Sequence, residues 1–223
     1  MPAPLIVVTG TGTAVGKTHF ATALVLGWGR TAKVCGFKPV ETGVPDGGEG
    51  EDAAALRSAS TFHVKPASLF LRDGVSPHLA ARREGRVVQV APILAELSRL
   101  RQEAEGVVVE LAGGLFSPLA KGLLNADLAG DMPDARILVV GCDRLGVLHD
   151  IISICISCRA RHLRLAGLVL GAPPGADASS GTNAAELSDL VEVPVLGTLP
   201  RGSPEELAGS DVVLRVLSSV GVP

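Results

Sequence analysis

The chain has 223 residues, 47% of them hydrophobic and 19% charged, and 20 Lys plus Arg against 23 Asp plus Glu leave a formal net charge of -3. This mild acidity excludes attachment to nucleic acid or anionic lipid by bulk charge, and no Tyr, one Trp and five Phe leave no base-stacking platform. There is no apolar run of the ~20 residues that a spanning helix needs, no signal-peptide pattern and no second cysteine pair at zinc spacing, which predicts a cytoplasmic protein with reduced thiols, no nucleic-acid partner and no membrane partner.

Along the chain, Leu5 to Val8 reads as a short buried strand ending in a glycine-rich turn, and His19 to Trp28 carries Phe20, Leu24, Val25 and Trp28 at helical spacing. Ala32 to Phe37 reads as a second strand, Gly43 to Gly50 as a polar loop, and Asp52 to Ser58 as a short helix. Helices are expected over Ser76 to Glu84 and Val90 to Glu103, the latter with Ile93, Leu94, Leu97 and Leu100 on one face. The β-branched run Val107 to Val109 and the run Ile137 to Val140 are further buried strands. A helix over Gly146 to Arg161, a strand over Leu165 to Leu170, a helix over Ala184 to Leu190 and a strand over Val195 to Leu199 follow, then a mostly helical end from Pro204 to Ser219. Alternating strands and helices with continuous apolar strands predict one α/β domain over residues 1–223, a parallel sheet with helices on both faces. Cys155 and Cys158 form a CxxC inside an apolar helix and are expected to be core residues.

The strongest chemical signal follows the first strand, in Gly10-Thr-Gly-Thr-Ala-Val-Gly16-Lys17-Thr18. A strand–loop–helix of this kind points backbone N–H groups and a helix N-terminus at a phosphate chain. Lys17 would reach the β- and γ-phosphates, and the Thr18 hydroxyl would meet Mg2+. The strict pattern has glycine at position 11, where this chain has Thr11. Parallel sheets bind ligands at the carboxyl ends of their strands. Three more residues fall there. Lys38, after the second strand, would stabilise an anionic intermediate or else be a solvated surface lysine. Glu110, closing the Val-Val-Val strand, would hold Mg2+, and Asp52 would join it or merely cap its helix.

These residues, with Lys38-Pro-Val-Glu-Thr-Gly43, Glu51-Asp52, Ser76-Pro-His78, Glu84-Gly85, Glu110-Leu-Ala-Gly-Gly114, Pro118-Leu119 and Leu145-Gly146, resemble the dethiobiotin synthetase family over nearly the whole chain. The resemblance implies a P-loop nucleoside-triphosphatase-like fold and an enzyme that closes a cyclic urea on 7,8-diaminopelargonate with CO2 (or bicarbonate) and MgATP. It assigns catalysis to Lys38 and Lys17, and metal binding to Thr18, Asp52 and Glu110. Nucleotide contacts would come from Gly12, Thr13, Ala14, Val15, Gly16, Lys17, Thr18, Asp52, Glu110, Leu111, Ala112, Gly113, Gly171, Ala172, Pro200, Arg201, Gly202 and Glu205. Substrate would meet Thr13, Lys38 and Thr42. Its carboxylate would meet the turn Leu145, Gly146, Val147 and Leu148, contributed by the partner subunit of a homodimer.

Four departures carry expectations of their own. Gly12 and Ala14 stand where several members have acidic residues, leaving less negative charge around the phosphates. Leu111 replaces a glycine and is expected to crowd the loop that approaches the γ-phosphate. His149-Asp150 stands where Asn-His is common. Gly171 replaces an asparagine that reads adenine, which predicts loose base choice. A P-loop switch or partitioning-type ATPase is the alternative, although such switches carry an extra lysine early in the loop, where this chain has Gly10 and Thr11. A degenerate paralogue of the synthetase is the third reading.

Overall fold

The computed structural model describes residues 2–63, 65, 66, 68–219 and 221; the reading of one domain over residues 1–223 extends outside them at positions 1, 64, 67, 220, 222 and 223. The elements in chain order are β1 (Leu5–Gly10), α1 (Lys17–Trp28), β2 (Val34–Phe37), β3 (Val40–Thr42), α2 (Glu51–Ala59), β4 (Leu69–Leu71), α3 (Pro77–Arg83), α4 (Val90–Glu103) and β5 (Gly106–Glu110). Then come β6 (Pro118–Ala120), β7 (Leu123–Leu124), α5 (Asn125–Gly130), β8 (Arg136–Cys142), α6 (Val147–Ala160), β9 (Leu165–Gly171), α7 (Asn183–Leu190), β10 (Val195–Leu199), α8 (Pro204–Leu207) and α9 (Asp211–Ser219).

Six strands form one parallel sheet in the order β10-β9-β8-β1-β5-β2. Strands β1, β2 and β5 are buried along their whole length because both faces of the sheet are covered. In β1, Leu5 and Val7 enter one core with α4 and α6, while Ile6 and Val8 enter a second with α1 and α9. Each such side chain contributes roughly 1.5–3 kcal/mol of burial. At the start of β5, Gly106 lies under the Trp28 indole, where a Cβ would come within 2.3 Å of the ring. The strand order sets the geometry of the site: β5 lies between β1 and β2, so Glu110 at its end stands between the P-loop and Lys38. Val8 pairs with Glu110 and Phe37 with Val109, which brings all three strand ends to one level.

The structure adds elements beyond the sequence pattern. Two short parallel strands, β3 and β4, pair Val40 with Leu69 and Thr42 with Leu71. A small antiparallel pair, β6 and β7, leads into α5. The mostly helical carboxyl end is two helices with a break at residues 208–210, where Ser203 caps a four-residue helix that ends before Gly209. Cys35 and Cys158 are buried, and burial pushes the Cys158 thiol up to about 12. Among the described residues no helix is long and apolar enough to cross a membrane.

Candidate active site

The loop after β1 closes by backbone conformation. Gly16 has φ 91°, and Ala14 has φ 58°. A left-handed non-glycine residue costs about 1–2 kcal/mol, and alternation of this kind turns successive N–H groups into one concavity suited to an anion. Helix α1 begins directly at Lys17, so its N-terminus faces the same space. Lys17 is 6% exposed and its Nζ donates to the Gly12 carbonyl at 2.6 Å, across the mouth of the loop. Burial lowers its pKa, only partly countered by Glu110.

A cavity of about 840 Å³ opens beside this loop, and Thr13, Lys17, Thr18, Lys38, Thr42, Asp52, Glu110 and Ala112 are among its lining residues. At its floor the Thr18 hydroxyl lies 2.8 Å from Asp52 Oδ1 and 3.0 Å from Glu110 Oε1. Lys38 Nζ donates to Asp52 Oδ2 at 2.8 Å and to Glu110 Oε1 at 2.6 Å. Lys38 is 3% exposed, so the solvated-lysine alternative does not hold. Burial pulls its ammonium down, and Glu110 with Asp52 more than reverses that, so Lys38 stays protonated. Glu110 is wholly buried, and burial raises its pKa against the pull of Lys38. Asp52 is lowered: burial opposes ionisation, but Lys38 and Thr18 outweigh it.

Two carboxylates and one hydroxyl converge as an all-oxygen donor set, and the buried Glu110 Oε2 has no hydrogen-bond partner. This fits Mg2+, a hard cation that takes one or two carboxylates and completes its octahedron with water and phosphate oxygens. Among the described residues no three His, Cys, Asp or Glu side chains are grouped so as to hold a metal ion. Asp52 is the second residue of α2 and not its cap; the cap position is Gly50.

The loop after β5 turns Leu111 away. Its N–H donates to Val8 O at 2.9 Å, and its side chain is 1% exposed inside the core. Crowding of the phosphate side, expected from the residue type, is therefore absent, while Ala112 and Gly113 do face the cavity. Gly171, Ala172, Pro200, Arg201, Gly202 and Glu205 lie at and beyond the ends of β9 and β10, outside the cavity lining. There the guanidinium of Arg201 donates to the Pro173 carbonyl, from Nε at 3.1 Å. The turn 145–148 is also outside that lining. Leu145 is 75% exposed but its N–H donates to Asp177 Oδ2 at 2.8 Å, and Val147 N–H donates to Arg144 O.

Several residues in or around the site had no role assigned from the sequence. Glu41 is buried and accepts two N–H groups at the start of α2. Asn125 Nδ2 ties down the carbonyls of Ala112 and Gly114, and Ser117 accepts from Gly114 N–H. Asp177 caps the Leu145 turn, and its backbone and hydroxyl donors hold it at about 2. Their partners are far away in sequence or on unpatterned loops, so periodicity is blind to them.

The parallel sheet, the phosphate loop at the end of β1 and the lysine–carboxylate floor define a P-loop nucleotide-dependent enzyme. A family described as an AAA domain matches residues 5–204. Solved structures agree on the fold alone: a plasmid partition protein from Borrelia burgdorferi has TM-score 0.61 at 10% identity, covering 97% of this chain and 99% of that one. The cell division ATPase MinD from Pyrococcus furiosus has TM-score 0.55 at 18% identity, covering 98% and 99%. Sequence relatives are more specific. ATP-dependent dethiobiotin synthetase BioD from Ralstonia nicotianae is 38% identical over 87% of this chain and 87% of its own. The proteins of that name from Streptomyces coelicolor and Aromatoleum aromaticum are 38% and 36% identical, covering 90% and 96% of this chain and 85% and 95% of theirs. The chain belongs to the ATP-dependent dethiobiotin synthetase family, and as a member it is an ATP-using ligase of biotin biosynthesis.

Proposed function

We propose that the chain closes the ureido ring of dethiobiotin from 7,8-diaminopelargonate, CO2 and MgATP, with the reaction carried by the cavity between the P-loop and Lys38. The observation that carries this reading is Lys38, an ammonium buried between Asp52 and Glu110 and facing the phosphate loop across the cavity. One substrate amine adds to CO2, giving a carbamate and releasing a proton. A carbamate oxygen attacks the γ-phosphorus and ADP leaves. The second amine then attacks the carbonyl carbon of the mixed anhydride, and inorganic phosphate departs with the former carbamate oxygen.

This chemistry asks for positioning and charge neutralisation more than covalent participation. Lys17 neutralises charge on the transferring phosphoryl group, and the N–H groups from Gly12 to Thr18 hold the phosphate chain. Lys38 stabilises the carbamate and its charge as it develops, an electrostatic role strengthened by exclusion from water. Thr13 and Thr42 orient the substrate from the cavity wall. Thr18, Asp52 and Glu110 would hold Mg2+, which would supply neutralisation of phosphate charge. Leu111 contributes no side chain to this arrangement. Gly171, Ala172 and residues 200–205 would pass along the sugar and base.

The turn Leu145–Leu148 lies apart from the cavity, which supports its use across a homodimer, where it would meet the carboxylate of a substrate bound to the partner. The protein would act in the cytoplasm. Incubation with MgATP and bicarbonate, with and without the diamine, tests the function: phosphate matched by an equal amount of cyclic urea, identified by mass, is expected. Phosphate release indifferent to the diamine would instead mark a switch ATPase, the reading that the fold neighbours share. Nucleotide binding with no turnover would mark a degenerate paralogue.

A further inference from the structure

Glu41 takes no part in the chemistry above, yet it is 7% exposed and among the residues that line the cavity. Its backbone is fixed in β3, where it pairs with Phe70 of β4. Its carboxylate spans the start of α2: Oε1 accepts the N–H of Asp52 at 3.0 Å, and Oε2 accepts the N–H of Ala53 at 2.9 Å. The cap residue of that helix is Gly50, which has no side chain to do this work. It cannot gain one without loss of the contact, because a Cβ on Gly50 would lie 2.1 Å from Glu41 Cδ and from Oε2.

A helix start of nine residues would be capped as well by Ser or Asp at position 50, for about 1 kcal/mol and no buried charge. Here the cap comes instead from a buried carboxylate close to another, Asp52. Burial and the Asp52 charge both push the Glu41 carboxyl up, and the two backbone N–H groups, with the Lys38 charge, only partly pull it back. That cost has a consequence at one residue. Asp52 is gripped on three sides: its N–H by Glu41, Oδ1 by Thr18 and Oδ2 by Lys38.

We propose that Glu41 is a positioning residue, clamping the first turn of α2 so that the Asp52 carboxylate is held at the metal position beside Thr18 and Glu110. The inference rests on the reading of Thr18, Asp52 and Glu110 as the Mg2+ ligands. Groups that orient ligands in this way are worth about 10–100-fold in metal affinity.

Mn2+ is the probe, its affinity measured by electron paramagnetic resonance with ADP bound, for the full chain and for Glu41→Ala, Glu41→Gln, Gly50→Ala and Asp52→Asn. Glu41→Ala is expected to weaken Mn2+ by about tenfold or more, with Glu41→Gln between it and the parent, since one carbonyl acceptor remains. Gly50→Ala keeps the carboxylate but displaces it, and is expected to reproduce the loss. ADP affinity in EDTA is expected to stay within about twofold, because the phosphate loop is untouched. In an Asp52→Asn background, Glu41→Ala is expected to add less than about twofold, the sign of a shared path.

The inference is overturned if Glu41→Gln and Gly50→Ala leave Mn2+ affinity unchanged while Asp52→Asn weakens it. It is also overturned if the Glu41→Ala loss persists undiminished in the Asp52→Asn background, or if ADP affinity in EDTA falls in parallel, which is a folding role. Should Asp52→Asn itself leave Mn2+ affinity unchanged, the metal reading fails first and the positioning role falls with it. Gly50→Ala and Glu41→Gln carry the test if Glu41→Ala does not fold by circular dichroism.

Discussion

Replacement of Lys38 by methionine separates the charge balance that the structure shows from the catalytic role proposed for the same ammonium. Lys38 neutralises Glu110 at 2.6 Å and Asp52 at 2.8 Å, and Glu110 is wholly buried. Removing one partner of a buried ion pair costs about 3–5 kcal/mol. Asp52 is 35% exposed and regains water, so that figure counts Glu110 alone. For a domain of this size each kcal/mol moves Tm by about 2–4 °C, so a fall of about 6–20 °C is expected in EDTA. A divalent cation held, as proposed, by Thr18, Asp52 and Glu110 would replace the lost charge, and Mg2+ with ADP is expected to restore more Tm to Lys38→Met than to the parent. Turnover is a separate matter. Loss of a preorganised electrostatic group is expected to lower kcat by about 10²–10³-fold, with ADP affinity in EDTA nearly unchanged because Lys38 is outside the phosphate loop. Calorimetric Tm with and without MgADP, ADP titration and phosphate release are the assays. Full turnover in Lys38→Met would refute the catalytic role, and an equal Mg2+ effect on both proteins would refute the charge argument.

Three further perturbations probe other parts of the site. Gly16→Ala forces a Cβ onto a backbone with φ 91°, for about 1–2 kcal/mol of strain. ADP affinity is expected to drop by about tenfold, and titration calorimetry showing parent-like binding would contradict the loop geometry. Gly171 offers no amide to a base, so ATP, GTP and CTP are expected to bind within about tenfold of one another; a strong preference for ATP in competition assays would count against this. Asp177 occupies the N–H of Leu145 at 2.8 Å, so Asp177→Ala is expected to lower KM for the diamine with kcat little changed. A KM that rises would show that Asp177 shapes the turn rather than competes for it.

The sheet and the phosphate loop were legible because each leaves a strong local trace. Continuous apolar runs become central parallel strands, and the spacing Gly16-Lys17-Thr18 after such a strand leaves little choice of geometry. That Lys38, Asp52 and Glu110 meet was readable from their places at strand ends and a helix start, given the strand order. The sequence pattern was silent on β3 and β4, strands of three residues each whose pairing joins segments separated by α2. It was silent on Glu41 for the same reason, since a cap supplied from another element leaves no trace around the helix that it caps. Leu111 misled in the other direction: its residue type predicted crowding, whereas the turn of the backbone after Glu110 sends it into the core. The mostly helical end from Pro204 to Ser219 is two helices, with Leu207 and Val213 in one apolar core across the break at Gly209.

The central claim is that a carbamate oxygen is phosphorylated in the cavity and leaves with the phosphate. Doubly oxygen-labelled CO2, supplied to protein, MgATP and 7,8-diaminopelargonate in ordinary water and quenched within one turnover, follows that oxygen directly. The account predicts one labelled oxygen in the inorganic phosphate and one in the ureido carbonyl of the product. Phosphate free of label, with product still formed, would contradict it.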